Sequence, residues 1–137
     1  MNLLALVTDD ITEILIKIMH FTQRRQKVLT RNIREMSKPG FEPRDLAVEE
    51  FSESLNTAIE EYALNQRLVL CDTATIRFEL DGTLDARPVT DEPGRTLLDR
   101  DRDEYLEFQM DKLLENSLNQ RVAAELIRQR ENGPTPL

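Results

Sequence analysis

Leu4, Val7, Ile11, Ile14, Ile18 and Phe21 follow one another at alternating spacings of three and four residues. That is the period of a helix that buries one seam against another helix. A chain that opens this way must cover that seam, and this requirement constrains everything downstream. Leu15 and Met19 widen the stripe, while Asp10, Glu13 and Lys17 occupy the other side. At Arg25 the seam is interrupted, and apolar positions resume one place over at Leu29, Ile33 and Met36. The stripe therefore drifts around the helix, or the helix bends. The pattern predicts helix from about Leu3 to Met36, roughly 50 Å long at 1.5 Å per residue. A domain this small cannot cover such a length.

The helix must stop near Asn32 to Leu46. Pro39 has no backbone N–H and holds Lys38 extended, Gly40 can take positive φ, and Pro43 delays a new helix. Phe51, Leu55, Ile59 and Tyr62 then recur at helical spacing, predicting a shorter helix from about Val48 to Asn65. Glu60 and Glu61 are adjacent there, so they point about 100° apart and cannot share a substrate. Thr73 to Leu80 is rich in β-branched and aromatic residues, with Ile76, Phe78 and Leu80 alternating with Arg77 and Glu79, and Asp81-Gly82 signals a two-residue hairpin turn with Thr83 to Val89 as the return strand. Pro88, Pro93 and Gly94 predict a loop.

The last segment is helical again, from about Asp103 to Arg130, with an apolar stripe of Leu106, Met110, Leu113, Leu114, Leu118, Val122, Leu126 and Ile127. Acids open it and arginines close it, as the helix dipole favours. The expected fold is mainly α: long N- and C-terminal amphipathic helices pairing as an antiparallel coiled coil, with a short middle helix and a small β-hairpin. The expected divisions are an N-terminal assembly helix over 1–36, a middle region over 37–102, and a C-terminal helix and tail over 103–137.

Composition narrows the function classes. A net charge of −8 opposes nonspecific association with nucleic acid or an anionic membrane. The local basic cluster of Arg24, Arg25, Lys27, Arg31 and Arg34 has no interleaved aromatic residue, so it reads as a solvated face. Cys71 is the single cysteine, expected as a buried small hydrophobe, and His20 is the single histidine. Asp99, Asp101 and Asp103 mimic the start of a calcium loop, but Glu104 and Met110 stand where glycine and a bidentate glutamate are needed. No catalytic, cofactor-binding or metal-binding residues are assigned, and an enzyme is not expected. The opening residues lack a positive n-region and no membrane-spanning run occurs, so synthesis in the cytosol without a cleaved signal is expected.

Arg24-Arg25-Gln26-Lys27-Val28-Leu29-Thr30-Arg31-Asn32-Ile33, then Ser37-Lys38-Pro39-Gly40-Phe41 and Arg44-Asp45-Leu46, resemble the N-terminal signature of bacterial flagellar axial proteins. In that family a helix reading Arg-Gln-x-x-Leu-x-x-Asn-Ile-Ala-Asn ends at Thr-Pro-Gly-Tyr. The Arg-Asp-Leu tail, the short chain and Glu115-Asn116-Ser117-Leu118 are similar more narrowly to the proximal rod type of the flagellar basal-body rod family. The motif and assembly residues this implies are Arg25, Gln26, Leu29, Asn32, Ile33, Pro39, Gly40, Phe41, Arg44, Asp45, Leu46, Asn116 and Leu118. The resemblance implies a structural rod subunit exported unfolded through the flagellar type III apparatus. Its partners would be other rod, hook-basal-body and MS-ring proteins, in homo- or hetero-oligomers, and its place the periplasm-spanning rod. Arg34-Glu35 replaces the family's Ala-Asn, Lys38 its threonine, and Asp101-Arg102-Asp103-Glu104 its Gly-Asn-x-Val. A small acidic helical chaperone or adaptor of a type III secretion system shares the size, acidity and heptads, but does not need the Pro-Gly-Phe stop.

Overall fold

The computed structural model describes residues 3–132, with side chains described from Asp10 onward. Among them run α1 (Leu3–Arg34), β1 (Arg44–Asp45), α2 (Val48–Asn65), β2 (Ile76–Phe78), β3 (Leu84–Ala86), β4 (Val89–Thr90), α3 (Glu92–Arg100) and α4 (Arg102–Glu131). The chain is mainly helical with a small antiparallel β component, as the periodicities predict. α1 and α4 lie side by side in opposite directions: Asn32 meets Tyr105 and Gln109, while Thr22 and Gln26 meet Asn116. The same register sets buried Leu15 opposite buried Ala123. No helix among the described residues is long and apolar enough to cross a membrane.

Instead of one drifting seam, α1 carries two inward faces. Ile14, Ile18, Phe21 and Val28 pack on an apolar core completed by Leu46, Phe51, Leu55, Ile76 and Ala86. The Phe21 and Phe51 rings stack nearly parallel with centroids 4.0 Å apart. Leu15, Thr22 and Leu29, seven residues apart, form the second buried face, which turns to α4. Arg25 interrupts the stripe because it leaves the apolar core and reaches β1. It is buried, not part of the solvated face expected for its cluster.

After α1 the Phe41 N–H donates to the Lys38 carbonyl at 3.1 Å. Pro39 and Gly40 hold the two central places of that turn, with Gly40 at φ +75°, as a type II turn requires. β1 then pairs antiparallel with β4, Arg44 opposite Thr90 and Asp45 opposite Val89. β2 and β3 form a second two-stranded antiparallel sheet, whose Ile76 and Ala86 enter the core. Glu50 accepts from the Thr75 N–H at 2.9 Å and from the hydroxyls of Thr73 and Thr75, pinning the α2–β2 connection to α2.

Further expectations need correction. The hairpin turn has three residues, not two. Phe78 pairs with Leu84, the Glu79 N–H donates to the Thr83 carbonyl, and only Gly82, at φ +89°, takes the positive φ that a two-residue type I′ turn would also demand of Asp81. The return strand breaks at Arg87-Pro88, and its last residues pair with β1. Glu92–Arg100 is helix, not loop, because Asp91 accepts the Gly94 N–H as N-cap and Pro93 sits in the first turn, where a missing N–H costs nothing. Cys71 is exposed, since its neighbour Leu70 takes the inward place against the core.

The last correction concerns α4. Its inward positions are Tyr105, Gln109, Asn116 and Ala123, all buried, with Lys112 half-buried between them. Met110, Leu114, Leu118, Val122 and Leu126, expected to hide against α1, are 57, 63, 52, 59 and 41% exposed. The polar seam faces inward because its hydrogen-bond partners are there, and the apolar row is left outside.

Candidate functional site

The motif residues converge where α1, β1, β4 and α4 meet. Arg25 donates to Asp45 through Nε at 2.9 Å and through a terminal nitrogen at 3.0 Å, a bidentate pair. Lys112 of α4 donates to Asp45 at 3.0 Å and to Asp91 at 2.9 Å, and lies 4.4 Å from the centre of the Phe108 ring. Asp45 and Asp91 share one face of the β1–β4 ribbon, because the Asp91 N–H continues its pairing to the Pro43 carbonyl. Two cations thus neutralise two carboxylates in a largely dry pocket. Burial opposes ionisation of Asp45, but the Arg25 and Lys112 contacts outweigh it and hold the carboxyl below its ordinary range. In such a cluster, removing one member leaves an uncompensated charge, at a cost of about 3–5 kcal/mol.

Beside it, Asn32 acts as a substitute strand. Its side-chain oxygen accepts the Arg44 N–H at 3.0 Å, and its amide donates to the Arg44 carbonyl at 2.6 Å and to Gln109 Oε1 at 3.0 Å. The Tyr105 hydroxyl donates to the Asn32 carbonyl at 2.7 Å. Burial, with the Asp91 charge adding to it, pushes the Tyr105 phenol up to about 12. Two turns further along α4, the Asn116 amide donates to the Thr22 carbonyl at 2.8 Å and to Gln26 Oε1 at 3.3 Å. Each of the two carboxylates, Asp45 and Asp91, is engaged by a cation.

Arg25, Leu29, Asn32, Asp45, Leu46 and Asn116 are buried in or against this junction, and Gln26 and Ile33 are half-buried. Arg44 contributes its main chain, while its side chain turns to solvent. Pro39 and Gly40 are exposed at the turn, Phe41 is half-buried, and Leu118 stands on the outer row of α4. Sequence reasoning did not find Lys112, Asp91, Gln109 or Tyr105. The available signal was the spacing of Tyr105, Gln109, Lys112 and Asn116 by four, three and four, a heptad written in hydrogen-bonding residues.

The positions that depart from the flagellar pattern engage one another or their neighbours. Glu35 accepts from Arg31 at 2.7 Å and from Lys38 at 3.2 Å, bonds that lower its pKa. Arg102 donates to the Ser37 hydroxyl at 2.8 Å, tying the turn to the start of α4. Arg24, Lys27, Arg31, Arg34, Lys38 and Arg44 line a groove of about 840 Å³ above the turn. Comparison with known protein families, with curated proteins and with solved structures finds no match to this chain.

Proposed function

We propose that this chain is a structural subunit of the bacterial flagellar basal-body rod, of the proximal rod kind, which works by assembly and not by catalysis. The observation that carries the reading is the outer row of α4. Its five large apolar residues point away from the protein's own core while a polar seam faces inward, as suits a helix with a second interface to fill. The junction residues support it, because the segment that resembles the axial signature is the segment that locks α1, the Pro-Gly turn and α4 together. The α1–α4 pair is read as an antiparallel coiled coil, with Leu15, Thr22, Leu29 and Asn32 as its α1 positions. Other rod, hook-basal-body and MS-ring proteins are the proposed partners, and export unfolded without signal cleavage the proposed route.

Deleting the coding sequence tests this. Loss of motility, with the tagged protein recovered in purified basal bodies, is the expected result. A protein that stays in the cytosol bound to a secreted substrate would instead identify the chaperone or adaptor function and overturn the rod reading.

A further inference from the structure

Nine large apolar residues are exposed among the described residues, and five of them form one row: Met110, Leu114, Leu118, Val122 and Leu126. Each is four residues from the next, so the row is an i±4 ridge about 24 Å long at 1.5 Å per residue. Leu118 is its midpoint and lies opposite the seam that packs on α1, which leaves the ridge clear of the rest of the molecule. Ridges of this kind interdigitate with a like ridge when two helices cross at about −50°. A second copy supplies a like ridge without any further requirement.

We infer that the free subunit forms a two-fold dimer in which the α4 ridges of two copies cross at Leu118. The exposures amount to on the order of 500 Å² per copy, at the upper end of what a monomer leaves bare. Two such patches bury roughly 1,000 Å², the lower bound of a specific interface, where association is weak and transient. Charge selects the sense of crossing. Glu115 and Arg121 stand three residues before and after Leu118, on opposite flanks of the ridge. A two-fold pair crossing in the parallel sense brings opposite flanks together, and each copy's Glu115 then faces the other's Arg121. The antiparallel sense would set like charges together. Such a closed pair differs from the open, repeating contact of a rod, and it stands whether or not the chain is a rod subunit.

Sedimentation equilibrium and light scattering of the full chain across about 1–200 μM read the association directly. The expected mass rises to twice the 15.9-kDa chain. Leu118→Arg and Leu114→Lys remain monomeric with unchanged far-UV circular dichroism, both positions being more than half exposed. Glu115→Arg and Arg121→Glu each weaken association about tenfold, and the two combined restore it. In a Cys71→Ser background, Leu118→Cys cross-links under mild oxidation and Asn119→Cys does not. A chain that stays monomeric throughout overturns the proposal, as does a dimer indifferent to Leu118→Arg or a combined variant no better than either single one. Recovery from basal bodies is read separately, so failure of the dimer leaves the rod reading standing, and the reverse.

Discussion

Asn32→Ala should be the most informative single substitution in the junction. Asn32 is buried, and its side chain makes three hydrogen bonds: two to the Arg44 main chain and one to Gln109. Alanine leaves the Arg44 N–H, the Arg44 carbonyl and Gln109 Oε1 without that partner at once. At about 1 kcal/mol for each bond, with the small cavity adding to it, the expected loss is on the order of 3 kcal/mol. For a chain of this size that lowers the unfolding midpoint by roughly 10 °C. Urea unfolding followed by circular dichroism should show a lower midpoint at an unchanged slope, because the surface exposed on unfolding is the same. Amide exchange at Arg44 should accelerate. Asn32→Asp sharpens the test. Its carboxylate keeps the acceptor for the Arg44 N–H but sets negative charge against two oxygen atoms, so at neutral pH it should be worse than alanine. In mild acid, where the carboxyl can protonate and donate, it should recover. A loss below 1 kcal/mol for Asn32→Ala, or an Asn32→Asp protein indifferent to pH, would show that Asn32 does not bridge α1 to β1.

Titration should expose the same cluster from both ends of the scale. Asp45 has its folded pKa below its ordinary 3.8, so its stabilisation is present above that value and is lost as pH falls through the folded one. Lys112→Met should raise the acid-unfolding midpoint. Tyr105 has its pKa raised to about 12, so its stabilisation is present below pH 10 and lost as pH rises toward 12, a loss that Tyr105→Phe should remove from the alkaline unfolding curve. The two structurally distinct glycines should separate by mechanism. A Cβ at Gly94 would meet Asp91 Oδ2 at 2.5 Å, whereas at Gly40 it meets nothing within 4 Å and only the φ of +75° resists. Gly94→Ala should therefore displace the carboxylate that caps α3 and holds Lys112, lowering thermal stability more than Gly40→Ala. Gly40→Val, at about 1–2 kcal/mol of backbone cost, should impair swarming more than His20→Ala or Cys71→Ser. Equal motility of the three would remove any special role for the turn. Gln109→Leu with Asn116→Leu should keep the helix content but broaden side-chain NMR signals, because an apolar inner seam no longer fixes the α1–α4 register. Sharp native-like spectra would refute that.

Elements governed by apolar period or by turn chemistry were legible in the sequence. α1, α2 and α4 begin and end within two residues of where their patterns predict, and Lys38-Pro39-Gly40-Phe41 makes the turn its residues dictate. Two kinds of feature were not legible. Pro93-Gly94 looks like a breaker in the sequence because the N-cap meaning of Asp91 depends on proline falling in the first turn, which sequence shows only once the start is known. The facing of α4 was hidden for a deeper reason. Periodicity ranks positions by hydrophobicity, and here the inward positions are polar groups whose partners, Asn32, Asp45, Asp91 and Thr22, come from distant parts of the chain. The resemblance to the flagellar signature brings in Arg25, Asn32 and Asp45 only among thirteen residues. It carried no pointer to Lys112, which closes the set from the other end of the chain.

The facing of α4 can be weighed against its obvious competitor. Turning the helix to bury the outer ridge on α1 would hide on the order of 500 Å², worth on the order of 10 kcal/mol. The same rotation would expose Tyr105 and Ala123, now buried, and uncover the half-buried Leu113 and Ile127. The hydrophobic difference between the two arrangements is therefore only a fraction of that figure. Against it stands the loss of Lys112 from between Asp45 and Asp91, each buried, and the loss of partners for Asn32 and the Thr22 carbonyl. Leaving buried carboxylates short of a cation costs several kcal/mol, which is enough to decide between arrangements of similar apolar yield. Polar groups thus choose which face of α4 turns inward, and in choosing they leave the apolar row outside. The device that makes the chain fold one way is also what leaves the ridge outside, so under the proposed dimer loss of Lys112 should disturb association through the orientation of a surface some distance from it.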